Sequence, residues 1–299
     1  MKDKQSVAVY GLGNMGYLVA QRIATRFPVK VADLNSAQVE RAQAEFGAVA
    51  LRQPQDAADV DIVVLSLPSP AISQAILRDL GPVLRKGSIV VETSTVNPDD
   101  MHASAKLLAP YGIGIIDASV MAGVAQMAAG KAMLLMGGDP AHIAACQEVL
   151  DAIAPKQIYF GGRGTGAAAK VINNAVAHAV MVVVAEAGAM ATATGVSCDK
   201  LIGLLSDPQM GLHRPLTHRY AERIVNGDYS GGMPLDAARK DSVLALQLAQ
   251  AAGVPLFAIQ GSHSVYEMAA VAGYGRDDYA AIAKLWADWG KPTVPVAKG

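Results

Sequence analysis

Residues 6–16 read SVAVYGLGNMG. The first six are a short apolar run, the composition of a strand covered on both faces. Three glycines follow in a G-x-G-x-x-G pattern, Gly11, Gly13 and Gly16, with Leu12, Asn14 and Met15 between them. At a strand-to-helix junction each glycine has its own task. The first permits a tight turn, the second lets the backbone approach a pyrophosphate, and the third lets the new helix pack against the strand. Its amino-terminal amides then face the phosphates. The pattern alone is weak evidence, because glycine pairs mark many ordinary turns. Here it follows a strand, opens a helix, and is answered by Asp33 at the end of the next apolar run, which makes it a dinucleotide-binding turn.

Working outward, short apolar runs alternate with amphipathic stretches. VKVAD (29–33), DIVVLSL (61–67), SIVVETS (88–94) and GIIDASV (114–120) read as strands. Segments 36–46 and 71–84 between them read as helices. Strand–helix–strand repetition of this kind implies right-handed crossovers and a doubly wound, Rossmann-type parallel sheet. KAMLLMGG (131–138) and KQIYFGG (156–162) extend that sheet around a helix at 140–153. After Gly162 the β-rich runs stop. A long helix from about 166 to 195 leads into helical segments near 197–206, 212–226, 234–252, 255–273 and 277–289, parted by glycine- and proline-containing breakers. The expected organisation is an α/β dinucleotide-binding domain over 1–163. A long connecting helix and an all-helical domain for substrate and self-association follow over 164–299. KPTVPVAKG (291–299) reads as a loose tail.

Asp33 also indicates which dinucleotide. Its carboxylate can accept hydrogen bonds from a ribose diol and repels a 2′-phosphate. Leu34 and Asn35 continue the same ribose-side stretch, ADLNS, which holds no arginine to receive that phosphate. NAD is therefore expected over NADP.

The totals exclude several classes. The chain has 299 residues, 52% hydrophobic and 17% charged, so it has ample core. A net charge of -1 leaves no footprint for nucleic acid or an anionic membrane. Two cysteines, Cys146 and Cys198, build neither a disulfide framework nor a thiolate metal site, and the histidines show no paired ligand spacing. With no apolar targeting run in MKDKQSVAVYG, a cytoplasmic enzyme without a metal is expected. Residues 175–195 are long and apolar enough for a bilayer, but His178, Glu186 and several small residues argue for a buried helix in a soluble protein.

The stretch GTGAAAKVINNAVAH (164–178) is the most informative outside the glycine turn. Lys170, Asn174 and His178 are spaced i, i+4, i+8, so they form one polar stripe on an otherwise apolar helix, with Asn173 beside it. A lysine half-buried in a cleft loses solvation, which lowers its pKa toward working pH. Such an amine can take a proton from a substrate hydroxyl and return it to a carbonyl. Asn174, one turn along, can orient the same oxygen.

Four stretches together resemble the β-hydroxyacid dehydrogenase family, which includes 3-hydroxyisobutyrate dehydrogenase and tartronate semialdehyde reductase and is related to 6-phosphogluconate dehydrogenase. They are GLGNMG, DASVMAGVAQMAAGKAMLLMGGD (117–139), GTGAAAKVINN (164–174) and KDSVLALQLAQAAGVP (240–255), in the family's order and spacing. The resemblance implies that Lys170 is the catalytic lysine and Asn174 the substrate-positioning asparagine. It places Lys240 near cofactor and substrate, and Leu67, Pro68 and Thr95 on the nicotinamide side. It also implies a homodimer or homotetramer acting on a small molecule, which agrees with a long helix more apolar than one domain easily covers.

The chain departs from the family in the 117–123 stretch. Where the family reads Asp-Ala-Pro-Val-Ser-Gly-Gly, this chain reads DASVMAG, with Met121 in place of the serine that holds substrate carboxylate. The amides of Ala122 and Gly123 remain, so the substrate is held by backbone alone, carries a different anionic group, or presents a more apolar body. His178 is either a core or interface histidine or a substrate neighbour. Arg214, in MGLHRP, either offers a fork to an acidic substrate or is a solvated loop charge. Ser94 and Thr95 sit where ligands gather or cap the helix near Pro98. Two rival functions stay open. One is an imine reductase on the same scaffold, a branch that usually lacks the lysine. The other is a non-catalytic dinucleotide-binding module.

Overall fold

The computed structural model describes residues 5–294, so the MKDK start and the last part of the expected tail (295–299) lie outside the described residues. Contacts divide the chain into two compact units, residues 1–175 and 176–299. The break falls inside the long helix, not at its start near 163.

Among the described residues of the first unit, eight strands form one sheet in the order β3-β2-β1-β4-β5-β6-β7-β8. They are β1 (Val7–Tyr10), β2 (Val29–Ala32), β3 (Val49–Ala50), β4 (Ile62–Leu65), β5 (Ile89–Glu92), β6 (Gly114–Met121), β7 (Met133–Gly137) and β8 (Lys156–Tyr159). The helices between them are α1 (Gly16–Ala24), α2 (Ser36–Phe46), α3 (Pro70–Leu80), α4 (Pro98–Leu108), α5 (Val124–Ala128) and α6 (Pro140–Ile153). Strands β1 to β6 run parallel with strand order reversing between β1 and β4, the doubly wound arrangement expected.

The apolar runs are buried because side chains alternate between two covered faces. Val7, Val9, Ile62, Val64 and Val91 pack with α1 and α6 through Ile23, Val149 and Ile153. Ala8, Tyr10, Val63, Leu65 and Val90 pack with α3 and α4 through Leu77, Leu80, Met101 and Leu108.

Two features depart from the sequence expectation. β7 pairs with β6 antiparallel, Asp117 opposite Gly137 and Met121 opposite Met133. The link 122–132 falls just short of the dozen or so residues a parallel return requires, so the chain turns back beside β6. Strand β3 is the other. At two residues it is too short to give a hydrophobic period, and its backbone pairing with β2 defines it.

Helix α7 (Thr165–Thr194) spans both units. Its first turn is locked onto the sheet by Asp117, whose buried carboxylate accepts from the amides of Gly164 and Ala167, each at 2.8 Å. Close packing completes the seat, since a Cβ on Gly166 would lie 2.5 Å from the Leu135 carbonyl oxygen. The rest of α7 corrects the expectation of a buried helix. Its most apolar stretch has mean hydropathy 1.6, and only 11% of that stretch is buried within the chain. Ile172, Val176 and Met181 are 64%, 58% and 62% exposed.

The second unit contains α8 (Cys198–Ser206), α9 (Leu235–Ala251), α10 (Ala258–Val271) and α11 (Ala283–Asp288), with a wide π-helical segment at Pro215–Ile224. Leu235, Ala269, Ala281 and Leu285 form its core. Glu186 is the buried cap of α10: its carboxylate accepts from the amides of Phe257, Ala258 and Ile259 at 2.6, 2.9 and 3.0 Å. Desolvation alone would raise its pKa, but these three donors outweigh it and hold the carboxyl below its usual range. A carboxylate so used belongs to a soluble protein's interior, not to lipid.

Candidate active site

At the carboxyl edge of the parallel strands lies a cleft of about 1050 Å³, contained in the first unit. The glycine turn forms one wall. Gly11 has φ +93°, and a Cβ there would meet the Ser66 carbonyl oxygen at 2.2 Å. A Cβ on Gly16 would meet the Gly11 carbonyl oxygen at 2.1 Å, so both positions need glycine for backbone packing. Gly13 is different: nothing lies within 4 Å of its would-be Cβ. That open space is where a pyrophosphate has to come close, so the turn fits the dinucleotide that its sequence implies.

Asp33 braces this turn. Its Oδ2 accepts from the Leu12 amide at 2.5 Å and its Oδ1 from the Asn35 amide at 2.7 Å. Each oxygen keeps a further lone pair for a ribose diol. Asn35 caps α2, its Oδ1 accepting from the Ala37 amide at 3.1 Å, and the Leu34 side chain is fully exposed at the cleft.

The same cleft is also lined by Leu67, Pro68, Ser94, Thr95, Ala122, Lys170 and Asn174. Ser94 is no helix cap: its Oγ accepts from the Leu67 amide at 2.8 Å and so ties two strand ends together. The capping role near Pro98 falls to Asn97, whose amide donates to Asp100 Oδ2 at 2.9 Å. Behind Ser94 stands Glu92, 2% exposed, its Oε1 accepting from the Ser94 amide at 3.0 Å. Burial pushes the Glu92 carboxyl up from its ordinary pKa, against the hydrogen bonds that favour the anion.

Because the folded-state pKa is raised, the protonated acid stabilises the fold at low pH, and this contribution is lost as pH rises through the folded value. Glu92→Gln keeps an acceptor for Ser94 without a titrating proton. Its stability relative to the unsubstituted chain is expected to grow as pH rises above 4.5, the ordinary carboxyl value, toward the raised folded value, read as urea midpoints. A pH-independent difference removes the buried-acid account.

Lys170 is half-buried, and the contact its amine makes is soft: Nζ lies 3.5 Å from the Met121 sulfur. Asn173 Nδ2 approaches the same sulfur at 3.6 Å. A thioether is a weak acceptor and does not hold an ammonium as a carboxylate would. Desolvation lowers the Lys170 pKa below its ordinary value. The Gly123 amide, expected to be available to a substrate, is taken: it donates to Gln126 Oε1 at 3.0 Å in the cap of α5.

His178, Arg214 and Lys240 belong to the second unit. His178 is exposed and Arg214 half-buried, with Nη1 3.7 Å from the Met210 sulfur. Exposed Lys240 pairs with Asp241 at 2.9 Å. Sequence reasoning missed Arg52 and Gln53, which line the cleft beside Asp33. They follow the two-residue strand β3, whose brevity hid the segment's place at the sheet edge. Reading β2–α2–β3 as one unit was the signal available.

A doubly wound domain whose glycine turn, acidic residue after β2 and half-buried amine line one cleft defines a nicotinamide-dependent oxidoreductase. Residues 6–162 match the NAD binding domain of 6-phosphogluconate dehydrogenase, and residues 164–286 match the NAD-binding domain of NADP-dependent 3-hydroxyisobutyrate dehydrogenase. The chain is 28% identical over 290 residues to 2-(hydroxymethyl)glutarate dehydrogenase of Eubacterium barkeri, covering 96% of each. It is 28% identical to 3-sulfolactaldehyde reductase of Escherichia coli, covering 93% of this chain and 94% of that one. Among solved structures, an imine reductase from Pseudomonas sp. superposes with a TM-score of 0.84 at 24% identity, covering 94% of this chain and 99% of that one, a likeness of fold. The chain belongs to the β-hydroxyacid dehydrogenase family. It is an oxidoreductase acting on a CH–OH group of a small molecule with a nicotinamide dinucleotide.

Proposed function

We propose that this chain is an NAD-preferring dehydrogenase that interconverts a small β-hydroxy acid and its semialdehyde or keto form, with Lys170 as general acid and base. The observation that carries the reading is the Lys170 amine: half-buried in the dinucleotide cleft, touching a thioether, its pKa lowered by desolvation. Bound NAD supplies the hydride acceptor, or NADH the donor. The neutral amine takes the hydroxyl proton during oxidation, and its ammonium returns a proton to the carbonyl oxygen during reduction. Asn174, one helical turn along and on the same cleft, orients that oxygen. Leu67, Pro68 and Thr95 shape the wall for the nicotinamide. Gly11, Gly13, Asn14, Met15 and Gly16 take the pyrophosphate, with Asp33 on the ribose.

The substrate side departs from the family toward apolar character. With Met121 in place of a hydroxyl donor and the Gly123 amide engaged by Gln126, little at the end of β6 is left to grip a carboxylate. A substrate whose group near Met121 is apolar fits best. His178, Arg214 and Lys240 carry their assigned substrate-side roles from their chemistry and from the resemblance, each open to substitution. Self-association in the cytoplasm accompanies this reading. The uncovered apolar length of α7 is the reason to expect a homodimer or homotetramer.

The imine reductase reading draws on the superposition with the Pseudomonas sp. structure. Against it stands Lys170, because reduction of an iminium carbon needs no amine to protonate an oxygen. A panel of short β-hydroxy acids, their aldehydes and cyclic imines, each with NAD(H) and NADP(H), tests the proposal. The expected result is turnover of an aldehyde or hydroxy acid with clear preference for NAD(H). Imine reduction alone, or a clear NADP(H) preference, overturns it.

A further inference from the structure

Beyond the main cleft, the glycine turn carries a second cavity of about 370 Å³ on its α2 side. Asn35, Gln38 and Arg41 line it together with Gly13, Asn14 and Asp33, and the last three also line the dinucleotide cleft. The two spaces therefore meet at the carboxylate proposed to hold the adenosine ribose. A ribose seated on Asp33 with its 2′ position toward α2 would place a group attached there in the smaller one.

What such a group meets depends on Arg41. A guanidinium is the side chain best shaped to grip a phosphate, by parallel N–H donors. Here that fork is turned to a neighbour. Arg41 Nε donates to Glu45 Oε1 at 2.7 Å, and Nη2 reaches Glu45 Oε2 at 3.5 Å. The guanidinium lies 4.2 Å over the Tyr17 ring, and the Tyr17 hydroxyl donates to Glu45 Oε2 at 2.7 Å. Arginine, tyrosine and glutamate thus close on one another at the edge of the cavity. Arg41 is the one basic residue lining the smaller cavity; with its charge met by Glu45 and Asp33 anionic, the balance in that cavity is negative, which a ribose diol tolerates and a phosphate does not.

We infer that Glu45, held by Tyr17, is a cofactor-specificity residue: it withholds the Arg41 fork from a ribose 2′-phosphate, so the cavity beside Asp33 admits the free diol of NAD and discriminates against NADP. The inference rests on the proposed dinucleotide assignment and extends it to a residue outside the glycine turn and its acidic partner. It also explains how Arg41 can line the smaller cavity without drawing a 2′-phosphate into it.

Calorimetric titration of the full chain with ADP and with adenosine 2′,5′-bisphosphate tests it without any turnover. The quantity read is the ratio of the two affinities in each variant, so a general loss of affinity cancels. Glu45→Gln should shift that ratio toward the 2′-phosphorylated nucleotide by about tenfold, the scale of a hydrogen bond to a charged group. The shift should shrink in high salt and disappear in the double variant Glu45→Gln/Arg41→Ala. An unmoved ratio in Glu45→Gln overturns the inference, and so does a shift that survives removal of Arg41. Absence of ADP binding in the unsubstituted chain overturns the dinucleotide assignment and this inference with it. A chain that binds ADP but turns over no hydroxy acid would fail the proposed reaction alone.

Discussion

A Lys170→Ala chain is expected to lose about three orders of magnitude in kcat while its affinity for NAD stays near that of the unsubstituted protein. Positioned general acid–base groups contribute about 10²- to 10⁴-fold, and this amine is the titratable group on the cleft best placed for that task. The dinucleotide's phosphates and ribose are proposed to be held by the glycine turn and Asp33, so binding should persist. The pH dependence has a definite sign. Burial favours the neutral amine, so the lysine loses its proton at lower pH than an exposed one. Hydroxyl oxidation needs that neutral form, so kcat/KM for oxidation should rise with pH and level off below the ordinary lysine pKa. Lys170→Arg keeps the charge but cannot deprotonate near neutral pH, and should be nearly as damaged as alanine. Retained turnover in either variant would take the amine out of the reaction.

Asp117→Ala is expected to be the most destabilising single change at the site. The carboxylate is fully buried and satisfies two amides at the start of α7, those of Gly164 and Ala167. Truncation orphans both in a place water cannot reach, because the glycines around them pack against backbone. At about 1–3 kcal/mol for each unsatisfied buried group, the loss should be about 2–6 kcal/mol. Asp117→Asn keeps one acceptor but turns an N–H toward the other amide, so it should lie between. Urea unfolding monitored on the full chain measures both. Lys170 lies one turn beyond Ala167, so catalysis should fall in the folded fraction too, as kcat more than KM. A loss under about 1 kcal/mol would mean that α7 is seated mainly by its glycines.

Much of the fold was legible because it is written locally. Alternating buried faces, a glycine turn and short breakers each act over a few neighbouring residues, and the observed helices at 36–46, 140–153 and 165–194 fall within a residue of the sequence reading. The misses were features with little local signal. Two-residue β3 has no period, and the direction of β7 depends on how far the link 122–132 can reach. The candidate site divides the same way. Lys170 and Asn174 were visible as a stripe, whereas Arg52 was hidden behind an unread strand.

The sequence by itself determined the doubly wound class, the glycine turn between β1 and α1, the acidic residue that answers it, and the polar stripe on the long helix, since each is set by period or spacing along the chain. Only the tertiary structure decided what surrounds those residues. The Lys170 amine meets the sulfur of Met121, 49 positions away in the chain. The Gly123 amide is taken by Gln126, and Asp117 anchors a helix that begins far downstream. Those environments set desolvation and hydrogen bonding, and through them pKa. They arise from contacts that no local pattern encodes.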